Sequence, residues 1–466
     1  MTLKPIPIKV ETTHDLYEKA PKVYSRKING TFNKLRSISV WVLLGLYYAI
    51  PWFNWETHQA ILFDLPARKF YLLGLTIWPQ DFILLSWLLI IAAVTLFFVT
   101  AVAGRLWCGY ACPQTVWTET FIWIERFFEG DRNQQIKLNK QAWNSEKLVK
   151  KTLKHSSWLI FSLFTGYTFV GYFTPIRTLT PHIINFTLGP WEIFWILFYS
   201  LATWGNAGFL REQVCKYMCP YARFQSSMFD KDTLIISYDA TRGEHRGKRK
   251  KGSDYAQAGL GDCVDCELCV QACPTGIDIR NGLQIECIAC ALCIDACDSI
   301  MEKMSYPKGL IHYTTEHVEQ GGKLKVFRMR TLLYFILWIS LISAFVYQIT
   351  TRIPLKVDVI RDRGKLYQEN INGLIENVYT VKILNMDNLD HQYSIRATGI
   401  EGISIVGKKE VSVKSGDVTS FPLRLEIDPG YLTQTTNHVE FTIYSTDQMN
   451  LIASSESRFI GPALGK

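Results

Sequence analysis

Five stretches are apolar over roughly 20 residues, the length that crosses a bilayer: 36–55, 82–103, 156–175, 191–210 and 331–350. The first ends in Trp52, Phe53 and Trp55, aromatics suited to a membrane interface. The third contains Gly166 and Gly171, tolerated where helices pack closely. Any one block could be a buried soluble helix, but the set predicts a helical membrane bundle. Beyond residue 356 the pattern becomes strict alternation, over 378–384, 393–397, 409–414, 418–427 and 439–444. Turn residues punctuate it at Asp387-Asn388, Ser415-Gly416-Asp417 and Asp428-Pro429-Gly430. That segment reads as an all-β, immunoglobulin-like antiparallel sandwich of about 100 residues.

Charge orients the bundle. The chain has 466 residues, 48% hydrophobic and 13% aromatic, with a formal charge of +8. Its Lys and Arg sit beside the apolar blocks, which makes the positive balance a topology signal and excludes nucleic acid as the expected partner. Residues 1–37, the 104–155 loop and the 211–330 region are rich in basic residues, whereas the intervening loops hold only Arg68, Lys69 and Arg177. The positive-inside rule therefore puts the N-terminus and the 211–330 region in the cytoplasm and the C-terminal sandwich outside. No removable signal peptide is expected, because no short apolar core with a cleavage site follows the basic N-terminus. The run from Thr241 to Gly252 reads as a flexible basic linker that contacts anionic lipid or docks an acidic electron donor.

Cysteine spacing supplies the chemistry. Cys263-x2-Cys266-x2-Cys269-x3-Cys273-Pro274 is followed by Cys287-x2-Cys290-x2-Cys293-x3-Cys297. This is the spacing of a two-cluster bacterial ferredoxin, in which the fourth cysteine of each run serves the other cluster. The expected cofactors are two [4Fe-4S] clusters, one on Cys263, Cys266, Cys269 and Cys297, the other on Cys287, Cys290, Cys293 and Cys273. A zinc site fits two CxxCxxC triplets poorly, and disulfides need an oxidising compartment. Asp298 stands where the first run has Pro274.

A second motif occurs twice, as Cys108-Gly-Tyr-Ala-Cys112-Pro113 and Cys215-Lys-Tyr-Met-Cys219-Pro220, each just past an even-numbered span. Proline disfavours helix at the preceding cysteine and suits the first turn of a new helix. Trp117, Phe121, Ile124 and Phe128 then recur at helical spacing, as do Tyr221, Phe224 and Met228, consistent with helices along the interface. Cys112 and Cys219 would stand at helix N-termini, which favours thiolate. If a helix instead runs through the motif, both sulfurs share one face. Either way a thiolate pair can hold one soft ion, for which copper(I) is the natural choice. The bland alternative is that these are small buried residues at helix ends. His58, His155 and His182 read as structural or solvent-exposed.

The motifs Trp107-Cys108-Gly-Tyr-Ala-Cys112-Pro113-Gln-Thr-Val-Trp117, Cys215-Lys-Tyr-Met-Cys219-Pro220-Tyr-Ala-Arg-Phe-Gln225, Tyr238-Asp-x2-Arg242-Gly-Glu-x-Arg246-Gly247 and the ferredoxin runs resemble the CcoG family, also called RdxA or FixG. The resemblance covers essentially the whole chain. It implies a multi-pass bacterial inner-membrane protein that reduces copper(II) to copper(I) for assembly of cbb3-type cytochrome oxidase. By motif match the eight ferredoxin cysteines would be cluster ligands, and Cys108, Cys112, Cys215 and Cys219 the catalytic, copper-binding candidates. Copper is then the substrate, and oxidase assembly proteins, a copper transporter or a chaperone are the partners. The electron donor is unnamed, and a homodimer is one arrangement to test. Two rival readings stand beside this one: an electron-transfer subunit that passes electrons from quinol or a cytoplasmic donor to a partner protein, and a non-catalytic assembly factor. The domain plan is a cytoplasmic segment (1–35), a four-span membrane domain (36–230), a linker (231–255), the ferredoxin unit (256–305), a connector (306–330), a fifth span (331–351) and the periplasmic sandwich (356–466).

Overall fold

The computed structural model describes residues 22–55, 58–252, 254, 257–387, 389–448 and 450–462. The basic residues before position 22 lie outside this set. The chain forms two units, one of Met1–Leu75 with Leu85–Ser340, the other of Thr76–Leu84 with Leu341–Lys466.

The first unit carries helices α1 (Thr31–Ala49), α2 (Phe82–Ala103), α3 (Leu106–Tyr110), α4 (Pro113–Glu129), α5 (Arg132–Lys140), α6 (Ser145–Val170), α7 (Ile176–Ile184), α8 (Pro190–Thr203) and α9 (Pro220–Ser226). Among the described residues, four helical stretches are long and apolar enough to cross a membrane: Thr31–Trp52, Phe82–Ala103, Pro190–Leu210 and Met329–Thr350. The block expected over 156–175 is not among them. It is the second half of α6, which starts eleven residues earlier in charged sequence and ends at Val170, where the chain turns before Pro175.

The charged half of α6 packs on α4. Lys154 pairs with Glu129 at 2.8 Å and lies 3.5 Å from Glu125; Lys151 pairs with Glu129 at 3.0 Å. Arg211 reaches Glu125 at 2.7 Å, and Arg36 of α1 reaches Glu119 at 3.0 Å. The face of α4 expected at the membrane interface is therefore core: Phe121 is fully buried against Trp158 and Ala207. Apolar neighbours continue the packing, because α4 buries Val116 against Val40 and Leu44 of α1.

The ferredoxin segment contributes two helices, Leu268–Ala272 and Leu292–Met304, beside an antiparallel ribbon of Ile235–Tyr238 and Ile311–Thr314. Ile236, Ile279, Met301, Leu310 and Ile311 form its core. The basic stretch before it is less free than a linker: Arg242 pairs with Asp262, and Arg249 donates to the Gly261 carbonyl at 2.7 Å. Asp295, two residues after Cys293, caps α1 by accepting from the amides of Phe32 at 3.3 Å and Asn33 at 2.7 Å. At Gly30, which precedes α1, a Cβ would lie 2.2 Å from the Asp295 carboxyl, so glycine permits this cap.

The second unit is the predicted sandwich. One sheet has the order Ser404–Val406, Val418–Ile427, Ile375–Asn385, Leu355–Arg361, and Gln368–Glu369 also pairs with Ile375–Asn385. The other has the order Glu410–Val413, His391–Thr398, Thr436–Ser445, Ile452–Ile460. Alternate residues of both sheets, among them Tyr379, Val381, Tyr393, Leu425, Phe441 and Phe459, interdigitate in one core. Thr76–Leu84 belongs to this unit as well: Trp78 packs on Leu384 and Met386, and Asp81 pairs with Arg352 and Lys356.

Candidate functional site

The two ferredoxin runs share an unusual backbone. Asp265 and Glu267 flank Cys266 with φ of 50° and 57°, and Ala289 and Ala291 flank Cys290 with φ of 52° and 61°. Left-handed conformation is costly for residues with a Cβ and persists where the surroundings demand it. Here it curls each CxxCxxC loop about its own thiols. The eight thiols come together: Cys297 lies within electrostatic reach of Cys269, Cys263 and Cys266, Cys273 within reach of Cys287, Cys290 and Cys293, and Cys293 also within reach of Cys269. All eight are free thiols. Two sets of four soft donors, largely enclosed by protein, fit a pair of cubanes.

The CxxxCP motifs fold as their prolines dictate. Cys112 is extended (φ −60°, ψ 130°) and precedes Pro113, the first residue of α4; Cys219 (φ −77°, ψ 110°) likewise precedes Pro220 of α9. No helix runs through either motif. Cys108 sits on the short α3, and Cys215 on a π-helical turn, Val214–Met218, a form frequent at functional sites.

Hydrogen bonds knit the two motifs together. The Cys108 thiol donates to Gln225 Oε1 at 3.3 Å, and Gln225 Nε2 donates to the Gly104 carbonyl at 3.1 Å. Arg105 donates to the Ala222 carbonyl at 2.7 Å, and Gln114 to that of Arg211 at 3.1 Å. Cys108 lies within electrostatic reach of Cys112, Cys215 and Cys219, so the four thiols form one neighbourhood. Among the described residues, no three metal-binding side chains close on a point as tightly as one bare ion needs.

This neighbourhood abuts the second ferredoxin set. At Gly109 a Cβ would come within 2.7 Å of the Ile288 carbonyl oxygen and 3.0 Å of Cys290 Cα. Tyr110 donates to the Cys290 carbonyl at 3.3 Å, and Arg105 donates to the carbonyls of Ile285 and Cys287. Cys108 packs with Ala272, Ile288 and Cys290.

Burial dominates the acidity of these thiols. It pushes Cys108 up to about 12, with Cys112 adding to the rise and Arg105 opposing it, and it pushes Cys215 up to about 11. Cys112 is also raised by burial, although the amides of Thr115 and Gln114 at the start of α4 pull the other way. The thiolate expected there from the helix N-terminus is thus overridden by loss of solvent. Sequence reasoning missed Gln114 and Gln225 as partners of the site, and it read Arg36 only as a topology charge.

Over 419 residues the chain is 40% identical to Protein RdxA of Cereibacter sphaeroides, an alignment covering 85% of this chain and 87% of the relative. The chain belongs to the RdxA/FixG family. Protein RdxB of the same organism is 42% identical over 400 residues, covering 83% and 84% of the two chains. Nitrogen fixation protein FixG of Rhizobium meliloti is 36% identical over 450 residues, covering 89% and 85%. Within this RdxA/FixG-family chain, a 4Fe-4S dicluster domain matches residues 210–316 and an IG-like fold at the C-terminus of FixG matches 345–462. A further 4Fe-4S binding domain matches 85–130, a stretch whose cysteines are Cys108 and Cys112. The RdxA/FixG-family chain is thus an iron–sulfur protein with a redox role.

Proposed function

We propose that this protein is a membrane-bound iron–sulfur oxidoreductase that reduces copper(II) to copper(I) for assembly of a cbb3-type cytochrome oxidase. The observation that carries the reading is the junction: four thiols from two distant motifs meet beside the loop bearing Cys287 and Cys290, at the close approach that Gly109 allows. Bound [4Fe-4S] clusters supply one-electron transfer, and copper(II) to copper(I) takes one electron. Cys263, Cys266, Cys269 and Cys297 would hold one cluster, and Cys273, Cys287, Cys290 and Cys293 the other. Cys108, Cys112, Cys215 and Cys219 would hold copper, since thiolates favour its reduced state. Gln225, Arg105 and Gln114 keep the two pairs in register. The electron comes from an external donor, a quinol or a reduced cytoplasmic protein, and a copper chaperone or transporter takes the product.

The membrane arrangement belongs to the same reading. α6 lies antiparallel to the helix that begins as α8, from His155 beside Phe209, through Phe169 beside Tyr199, to Val170 beside Ile196. If Pro190–Leu210 crosses the bilayer, α6 crosses with it, giving five spans with the ferredoxin unit cytoplasmic and the sandwich periplasmic.

An anoxic assay tests the activity. Reduced, cluster-loaded protein receives copper(II) while EPR follows cluster oxidation and a copper(I) chelator reports product. Both signals should move in step, and the paired variants Cys108→Ala/Cys112→Ala and Cys215→Ala/Cys219→Ala should lose rate. Clusters that stay reduced in the presence of copper would end the cupric reductase reading. The 4Fe-4S match over 85–130 favours a second reading, in which the four thiols hold a cluster of their own and the protein only relays electrons. Iron content separates the two: about eight atoms per chain for two cubanes, about twelve for three.

A further inference from the structure

Arg36 is buried, with 3% of its surface exposed, on the first turns of α1. Its Nη2 pairs with Glu119 Oε2 at 3.0 Å, but among the described residues Nε and Nη1 have no hydrogen-bond partner. Buried guanidinium N–H groups left unpaired cost free energy and call for an explanation. Arg36 lines a cavity of about 30 Å³ with Pro274, Thr275 and Ile288, which adjoin Cys273 and Cys287, and with Cys215 of the CxxxCP neighbourhood. Cys290 and Cys273 are within its electrostatic reach. The cap from Asp295 fixes the start of α1 to the ferredoxin segment and so holds Arg36 in place.

The first thiol set has a different charge environment. The guanidinium near Cys269, Arg280, is matched by two carboxylates, Asp265 and Asp278, each at 2.7 Å, and Asp298 stands beside Cys297. Arg249 reaches the Cys263 carbonyl only at 3.5 Å, from a half-buried position where solvent screens it.

We propose that Arg36 is a positioning charge that raises the reduction potential of the cluster held by Cys273, Cys287, Cys290 and Cys293 above that of its neighbour, and thereby directs electrons toward the CxxxCP thiols. The inference rests on the iron–sulfur assignment of that set. A cluster with four thiolates is anionic and becomes more so on reduction, so a buried cation with free N–H donors stabilises the reduced form. Glu119, paired with the guanidinium, tempers that effect.

The test is an EPR-monitored redox titration of the full-length, cluster-loaded protein. Arg36→Gln should lower the higher of the cluster midpoints by at least tenfold in the reduction equilibrium, about 59 mV, and leave the lower one in place. Glu119→Gln should raise the same midpoint, and Arg36→Lys should keep it near the wild-type value. Midpoints unchanged in both Gln variants, or shifted the same way in both, overturn the proposal. If Arg36→Gln fails to fold, Glu119→Gln still decides it: a raised higher midpoint bears the proposal out, and an unchanged or lowered one overturns it. Wild-type protein that takes up no iron would instead refute the underlying cluster assignment.

Discussion

At Cys112 the amides at the start of α4 favour thiolate, burial opposes it, and burial prevails. Such a thiol is neutral near pH 7, and a metal bound through it, as proposed, would have to release its proton. The opposite outcome holds at Glu125. Burial there pushes the carboxyl up, but Arg211, Lys22 and Lys154 more than offset it and bring it from 4.5 down to about 2. A carboxyl whose folded value is depressed stabilises the fold above its unfolded value and loses that contribution as pH falls through the folded one. Between pH 4.5 and 2, Glu125 should therefore cost the fold on the order of 3 kcal/mol. Glu125→Gln should be less stable at pH 7, by about 3–5 kcal/mol, because it leaves buried cations unpaired; its thermal unfolding should depend less on pH across that window than that of the wild type. The twelve cysteines were legible in the sequence because their spacing is local. Gln225 was not legible as a partner of Cys108, since 117 residues separate them and only the fold brings them together. Arg36 was hidden by the same distance, and a basic residue before an apolar block has a simpler topological reading.

Among the elements, the sandwich strands were the most legible. Alternation over 418–427 matches the strand Val418–Ile427, and 439–444 lies inside Thr436–Ser445. Ile452–Ile460 escaped notice because it is an edge strand whose run of Ser and Glu shows little apolar periodicity. The start of α6 was missed for a different reason. Its lysines look like a solvated loop, yet Lys147 and Lys154 are buried, the first donating to the carbonyls of Asn139 and Gln141 and the second paired with α4. The glycine noted in that apolar block has a definite job. A Cβ at Gly166 would lie 2.3 Å from Ser200 Oγ and 2.5 Å from the Ile196 carbonyl oxygen, so α6 and α8 touch through this residue. Gly166→Leu should force the helices apart and cost about 1–3 kcal/mol or more by overpacking. The expected result is a lower thermal midpoint in detergent with the ferredoxin iron content retained until unfolding.

For the whole molecule, basic residues flanking apolar blocks indicated orientation, a property that the fold alone does not carry. Protease added to intact spheroplasts should remove the segment beyond Thr350 and spare the ferredoxin region, whereas inverted vesicles should show the reverse; cleavage of both regions from one side would refute five spans. The division into two units was only partly legible, because Thr76–Leu84 joins the sandwich from 270 or so residues upstream, through Asp81 with Arg352 and Lys356. The ferredoxin segment carries a consequence for how the chain is made. On the proposed ligand assignment Cys273 completes the set of the later run and Cys297 that of the earlier one, so the two quartets interlock. A nascent chain halted anywhere before Cys297 has at most three thiols for the first quartet, and one halted before Cys287 has a lone Cys273 for the second. On that assignment neither quartet is completed more than a few codons before the other, and iron loading should follow completion of the whole segment.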